Sequence, residues 1–173
     1  MLVQYKAHVE QLALTLKCQL DIDPNFRTTA MMYVEEVPPR VEVPTITDHI
    51  SYLITLHELG HVFHGHTQGR PPYGDKKFYF ENGVLRSEAQ AWEWALDQCI
   101  DNIQDASRRF MWDTCLGSYY EHGYKAAAGN YDRIRNGNRH HVLFMYDEPD
   151  EYFTSIVKRI QGNLTNFTIK YNS

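Results

Sequence analysis

The stretch His57-Glu58-Leu59-Gly60-His61, an H-E-x-x-H, constrains this chain more than any other. Helical side chains four apart stand on one face, so a helix here aims His57 and His61 at a single metal ion. Glu58, one residue round from His57, then reaches a water in an open coordination position. The set reads as general-base chemistry at a zinc centre, the chemistry of peptide hydrolysis. That reading requires a helix, and the flanking residues supply one. Ile46, Ile50, Leu53 and Ile54 recur at helical spacing with His57 and His61. Thr45 or Thr47 is the expected N-cap, and Gly65 suits the left-handed residue that closes a helix.

A catalytic zinc takes three protein ligands and keeps the fourth position for water. Downstream, Ser87-Glu88-Ala89-Gln90 fits a capping box. Ala89, Trp92, Ala95, Leu96, Cys99, Ile100 and Ile103 then predict a helical core face. Glu88 falls on the side shared with Trp92 and Ala95. A carboxylate turned to the core is costly unless paired or bound to a cation, which makes Glu88 the choice for third ligand. The plainer alternative is that Glu88 only favours the positive end of its helix. Glu81 precedes an expected Asn82-Gly83 turn and Glu93 points off the stripe, so both compete less well. The longer H-E-x-x-H-x-x-G-x-x-H pattern fails, because the chain has His64 and Thr67 where it needs Gly and His. His64 is left as an accessory ligand or an outer hydrogen-bond donor, and His66 is a weaker candidate for a ligand. A loop expected over 67–77 borders such a site, so Tyr73 and Tyr79 are candidate donors to a transition-state oxygen.

Around this centre the pattern predicts an α+β, helix-rich, small zincin-like domain spanning 1–173. A first helix over 2–19 carries Leu2, Tyr5, Val9, Leu12 and Leu16 on one stripe, with His8 solvated beside it. Asp21-Ile-Asp-Pro-Asn-Phe breaks it. Short strands over 28–34 and 40–43 flank Pro38-Pro39 as an antiparallel hairpin beside the metal-binding helix. Such a hairpin either holds an extended peptide by its edge or simply covers the helix. Residues 77–80 read as a short strand or aromatic flap, and 107–128 as one helix or two broken at Gly117. Glu121 and His122 read as surface residues, and 142–146 as a strand. A last helix starts in the turn at Pro149, carries Tyr152, Phe153, Ile156, Val157 and Ile160 on its apolar face and ends at Gly162; an edge strand follows over 166–171.

Charge narrows the partners. The net charge of −5 comes without any Lys or Arg stripe, so no nucleic-acid partner is expected. No apolar run approaches membrane-spanning length, and the N-terminus lacks a signal-peptide pattern. Cys18, Cys99 and Cys115 are odd in number and lack any C-x-x-C, which reads as reduced thiols in a cytoplasmic protein.

With His57-Glu-Leu-Gly-His61, His64-Gly-His66 close behind and Glu88-Ala-Gln-Ala-Trp-Glu-Trp-Ala95 downstream, residues 44–100 resemble the ImmA/IrrE-like zinc metallopeptidases. These are gluzincin-type proteins of bacteria, mobile elements and phages. The resemblance implies one zinc held by His57, His61 and Glu88, with Glu58 as the base. It also implies a small α+β domain acting on a protein or peptide substrate, for better-known members a repressor or other regulator. Two departures stand out. Residues 96–101 continue as helix where the family usually has a short apolar-Pro stretch, and no helix-turn-helix domain is evident. The rival expectation is a catalytically silent zincin-fold protein that docks on a regulator or host defence protein. A purely structural zinc site would need a fourth ligand such as His64.

Overall fold

A computed structural model describes residues 1–24, 31–33, 37–66, 84–121 and 149–164. The first helix, α1 (Leu2–Leu16), buries Tyr5, Val9 and Ala13, while Leu12 and Leu16 pack at the margin of the core. It stops earlier than the apolar stripe predicts. Lys17 turns left-handed at φ 54, and Cys18 N–H reaches back 3.0 Å to Ala13 O. Of the residues expected to break the helix, 21–23 belong to a strand, β1 (Gln19–Asp23), and 25–26 lie outside the described residues. His8 is also tied down, its Nδ1 lying 2.8 Å from the Tyr52 hydroxyl.

The sheet has the order β1-β3-β2, with β2 at Met31–Tyr33 and β3 at Arg40–Pro44. β2 runs antiparallel to β3, whereas β1 runs parallel to it, pairing Leu20 with Val41 and Ile22 with Val43. The expected antiparallel sheet is therefore corrected to a mixed one. Central β3 alternates, with Val41 and Val43 buried and Arg40, Glu42 and Pro44 half-buried, which is the pattern of a strand with one face on a core.

That core is built around α2 (His49–His64), which packs against α1, β2 and β3 and against the next two described helices. Neither threonine caps it. Asp48 does, its carboxylate accepting from Ser51 N–H at 2.7 Å while Asp48 N–H donates 3.1 Å to Ser51 Oγ. An ionised carboxylate is the better partner for the positive end of a helix, and Ser51 completes the box. At the other end Gly65 takes φ 66, as expected, and His66 N–H closes 2.9 Å onto His61 O.

Next comes α3 (Val84–Gln98), which starts before the expected capping box. Ser87 is thus inside the helix, its buried hydroxyl without a hydrogen-bond partner among the described residues. The helix also ends sooner than the apolar pattern suggests: residues 99–104 leave it, and Ile100 N–H donates 3.3 Å to the Tyr52 hydroxyl. Then α4 (Asp105–Phe110) widens into a π-helical stretch at Met111–Leu116 and continues through Gly117, so no break occurs there. Glycine is needed at 117 for space. A Cβ would sit 2.5 Å from Trp112 O and 3.0 Å from its indole.

The last described helix, α5 (Glu151–Gln161), buries Phe153, Ile156, Val157 and Ile160. Its N-cap is Asp150, which accepts from Phe153 N–H at 2.7 Å, so Pro149 lies just outside rather than in the first turn. Arg108 donates to Arg159 O at 2.8 Å and Ile160 O at 2.9 Å, satisfying carbonyls at the end of α5. Among the described residues no helix is long and apolar enough to cross a membrane. The expected elements at 77–80, 142–146 and 166–171 lie outside the described residues.

Candidate metal centre

Helices α2 and α3 cross where Gly60 meets Ala91. A Cβ on Gly60 would fall 2.7 Å from Ala91 O, so the backbones touch and only glycine fits. This approach sets the chemistry, because it faces the His57–His61 side of α2 with Glu88, one turn before Ala91. All four central residues are enclosed, with His57 7%, Glu58 5%, His61 1% and Glu88 4% exposed.

His57, His61 and Glu88 form a group that could hold a metal ion. His57 Nε2 lies 3.0 Å from His61 Nε2 and 3.1 Å from Glu88 Oε2, and His61 Nε2 lies 3.6 Å from Glu88 Oε1. Ligand atoms about 2.0–2.1 Å from a tetrahedral ion stand about 3.3 Å from one another. The observed edges fall on either side of that spacing, and the donor set of two imidazoles and a carboxylate suits the same ion. The residues therefore fit a small tetrahedral cation. Among the described residues the group has no fourth His, Cys, Asp or Glu.

Electrostatics separate the two carboxylates. Burial alone would push Glu88 up, but His61 and His57 beside it hold it well below the usual carboxylate range. Glu58 is pushed up to about 7, first by burial and then by the charge of Glu88, with His61 opposing. Glu58 Oε2 has no hydrogen-bond partner among the described residues. A buried carboxylate oxygen left open beside such a group is available to a water or another polar partner.

The supports of the two imidazoles differ. His57 lies face-on to Trp92, with ring centroids 4.2 Å apart and planes 26° apart, and its Nδ1 meets no hydrogen-bond partner among the described residues. His61 Nδ1 lies 2.9 Å from His66 Nδ1, and His66 Nε2 lies 3.0 Å from Gln90 Oε1. Burial pushes His66 down to about 4, helped by the neighbouring His61.

Of the residues singled out in the sequence, His57, Glu58, His61 and Glu88 come together. His64 is not in the group; it is exposed at the end of α2, stacked 5.2 Å from the His66 ring. Glu93 is committed elsewhere, accepting from the Tyr152 hydroxyl at 2.5 Å and from Arg159 at 3.3 Å. Tyr73, Tyr79 and Glu81 lie outside the described residues, as does His122.

Gln90 and His66 stand out less in the sequence than in the structure. Gln90 carries no pattern that marks it. His66 does have a signal, since a left-handed Gly65 folds the next residue back onto the last turn of the helix. No family model, curated protein or solved structure matches this chain.

Proposed function

We propose that this protein is a zinc-dependent endopeptidase that hydrolyses a peptide bond in a protein substrate. The observation that carries the reading is the close-set His57–His61–Glu88 triad with Glu58 enclosed beside it, one carboxylate oxygen open among the described residues. Its likeness to the ImmA/IrrE-like metallopeptidases points the same way and suggests a regulatory protein as the target. His57, His61 and Glu88 would hold the ion, a His2Glu set that is a recognised catalytic arrangement for zinc. Bound there, zinc supplies a Lewis acid that makes water a nucleophile near neutral pH. Glu58 takes the proton of the attacking water as it adds to the peptide carbonyl, then delivers that proton to the leaving amine. Trp92 holds the plane of His57 against rotation, and the surrounding apolar wall of α2 and α3 keeps bulk water out.

The test pairs metal content with cleavage. Glu58→Gln keeps about one zinc per chain and lowers hydrolysis of a mixed peptide library, read by mass spectrometry, by roughly 10²–10⁴-fold. Glu88→Ala loses the metal. A Glu58→Gln protein that cleaves as fast as the wild type would remove Glu58 from the role assigned here. Wild type that takes up no zinc would sink the reading altogether.

A further inference from the structure

An imidazole that ligates a metal must offer a bare nitrogen, and the proton on its other nitrogen needs an acceptor. His61 and His66 face each other through Nδ1 atoms 2.9 Å apart. Two such nitrogens form a hydrogen bond only when one carries the proton and the other does not. Which one carries it is decided one step further out. Gln90 Oε1, 3.0 Å from His66 Nε2, is an acceptor and so requires the proton of neutral His66 on Nε2. His66 Nδ1 is then bare and accepts from His61 Nδ1–H. His61 Nε2, 3.0 Å from His57 Nε2 and 3.6 Å from Glu88 Oε1, is then the nitrogen left bare for a cation, against the pull of the Glu88 carboxylate, which draws the same proton to Nε2 once the chain through His66 is broken.

We propose that Gln90 and His66 are positioning residues that set the tautomer of His61, presenting its Nε2 ready for zinc; this rests on the reading of His57, His61 and Glu88 as the zinc site. The parts come from two separate features of the fold. The left-handed turn at Gly65 folds His66 back beneath His61, and α3, which supplies Glu88, supplies Gln90 two residues later. Direction matters. With its amide reversed, Gln90 would donate to His66 Nε2, the His66 proton would sit on Nδ1, and His61 would keep its own proton on Nε2, where it blocks ligation. A side chain that only accepts, such as Glu, preserves the useful direction. One that does neither, such as Leu, releases it. His57 has no comparable chain among the described residues, since its Nδ1 meets no partner there.

The experiment measures zinc affinity by competition with a chromophoric chelator on wild type, Gln90→Leu, Gln90→Glu and His66→Phe. Alongside it, nitrogen-15 spectra of the imidazoles report the tautomer of His61 in metal-free protein. Gln90→Leu and His66→Phe should each weaken zinc binding by about 10–100-fold, while Gln90→Glu binds at least as tightly as wild type. In metal-free wild type the His61 proton sits on Nδ1, and in Gln90→Leu it shifts to Nε2 with the circular dichroism unchanged. Should His66→Phe fail to fold, Gln90→Leu decides alone, because Gln90 is only half-buried at the edge of the site. Wild type that binds zinc, with Gln90→Leu matching it in affinity and tautomer, overturns the relay and leaves the zinc site standing. Equal loss in Gln90→Glu and Gln90→Leu also overturns it. Wild type without zinc affinity overturns the site and the relay together.

Discussion

Glu58 and Glu88 are the same side chain in nearly equal burial, yet one is held ionised and the other is pushed toward neutrality. The difference is what each carboxylate touches. Glu88 meets His57 and His61, while Glu58 keeps an oxygen without a partner among the described residues. Environments that drive two acids apart in this way commonly separate a ligand or charge-bearing role from a proton-transfer role. Asp48 shows the same physics at a helix end. Hydrogen bonds from Ser51, chiefly its backbone N–H, hold Asp48 below the ordinary carboxylate range. A depressed folded value means that its stabilisation is fully present above the unfolded value, about 3.9, and is lost as pH falls through the lower folded value. Asp48→Ala should therefore lower unfolding stability at pH 7 by about 1 kcal/mol, and the gap to wild type should narrow under strong acid. Urea titrations at neutral pH and below pH 3 check this. Asp48→Asn, which keeps a capping oxygen without the charge, should fall between Asp48→Ala and wild type at pH 7; stability equal to wild type there would mean that the charge adds nothing to the cap.

Among the elements, α2 was the most legible, because an apolar spacing and a chemical motif ran through the same residues. Glu88 could be found as well: a carboxylate on the same stripe as Trp92 and Ala95 has to answer for its burial. Other boundaries were misread for identifiable reasons. Thr45 and Thr47 compete with Asp48 as caps because all three sit before the apolar run, and only the Asp48–Ser51 reciprocity separates them. In β1, the alternation of Leu20 and Ile22 with polar residues spans too few positions to stand out from a turn, and its parallel pairing with β3 is a long-range choice. Apolar residues beyond Gln98 kept the helical period although the chain had left the helix. At Gly117 the sequence leaves one helix or two open, because a need for space and a need for flexibility look alike there. The same ambiguity surrounds Gly60, whose role is contact between helices. Gly60→Ala should destabilise the protein by about 1–3 kcal/mol through overpacking against Ala91 and weaken zinc binding by spreading Glu88 from the histidines. Thermal melts and chelator competition measure the two effects. Unchanged zinc affinity would show that the ligands do not depend on this crossing.

At the scale of the molecule, three buried polar side chains, His57, His61 and Glu88, share the interior with the apolar cluster that includes Leu53, Leu56, Leu59, Leu85 and Trp92. A cation that binds this folded arrangement and not the unfolded chain adds stability by mass action. Free zinc at about 100 times its dissociation constant contributes about 2.7 kcal/mol, and for a chain of this length each kcal/mol raises Tm by about 2–4 °C. A zinc-loaded sample should thus melt roughly 5–10 °C above a chelated one. Identical melting curves at saturating zinc would mean that the ion does not engage the folded core.

The close crossing at Gly60 and Ala91 also frees the rest of the chain from a task. Because α2 and α3 are registered against each other by backbone contact, the stretch of sequence that joins them need not measure out the distance from His61 to Glu88. Each doubling of such a connection costs only about 0.6 kcal/mol of closure entropy. A longer or shorter connection would leave His57, His61 and Glu88 in the same register, because the contact of Gly60 with Ala91 sets it.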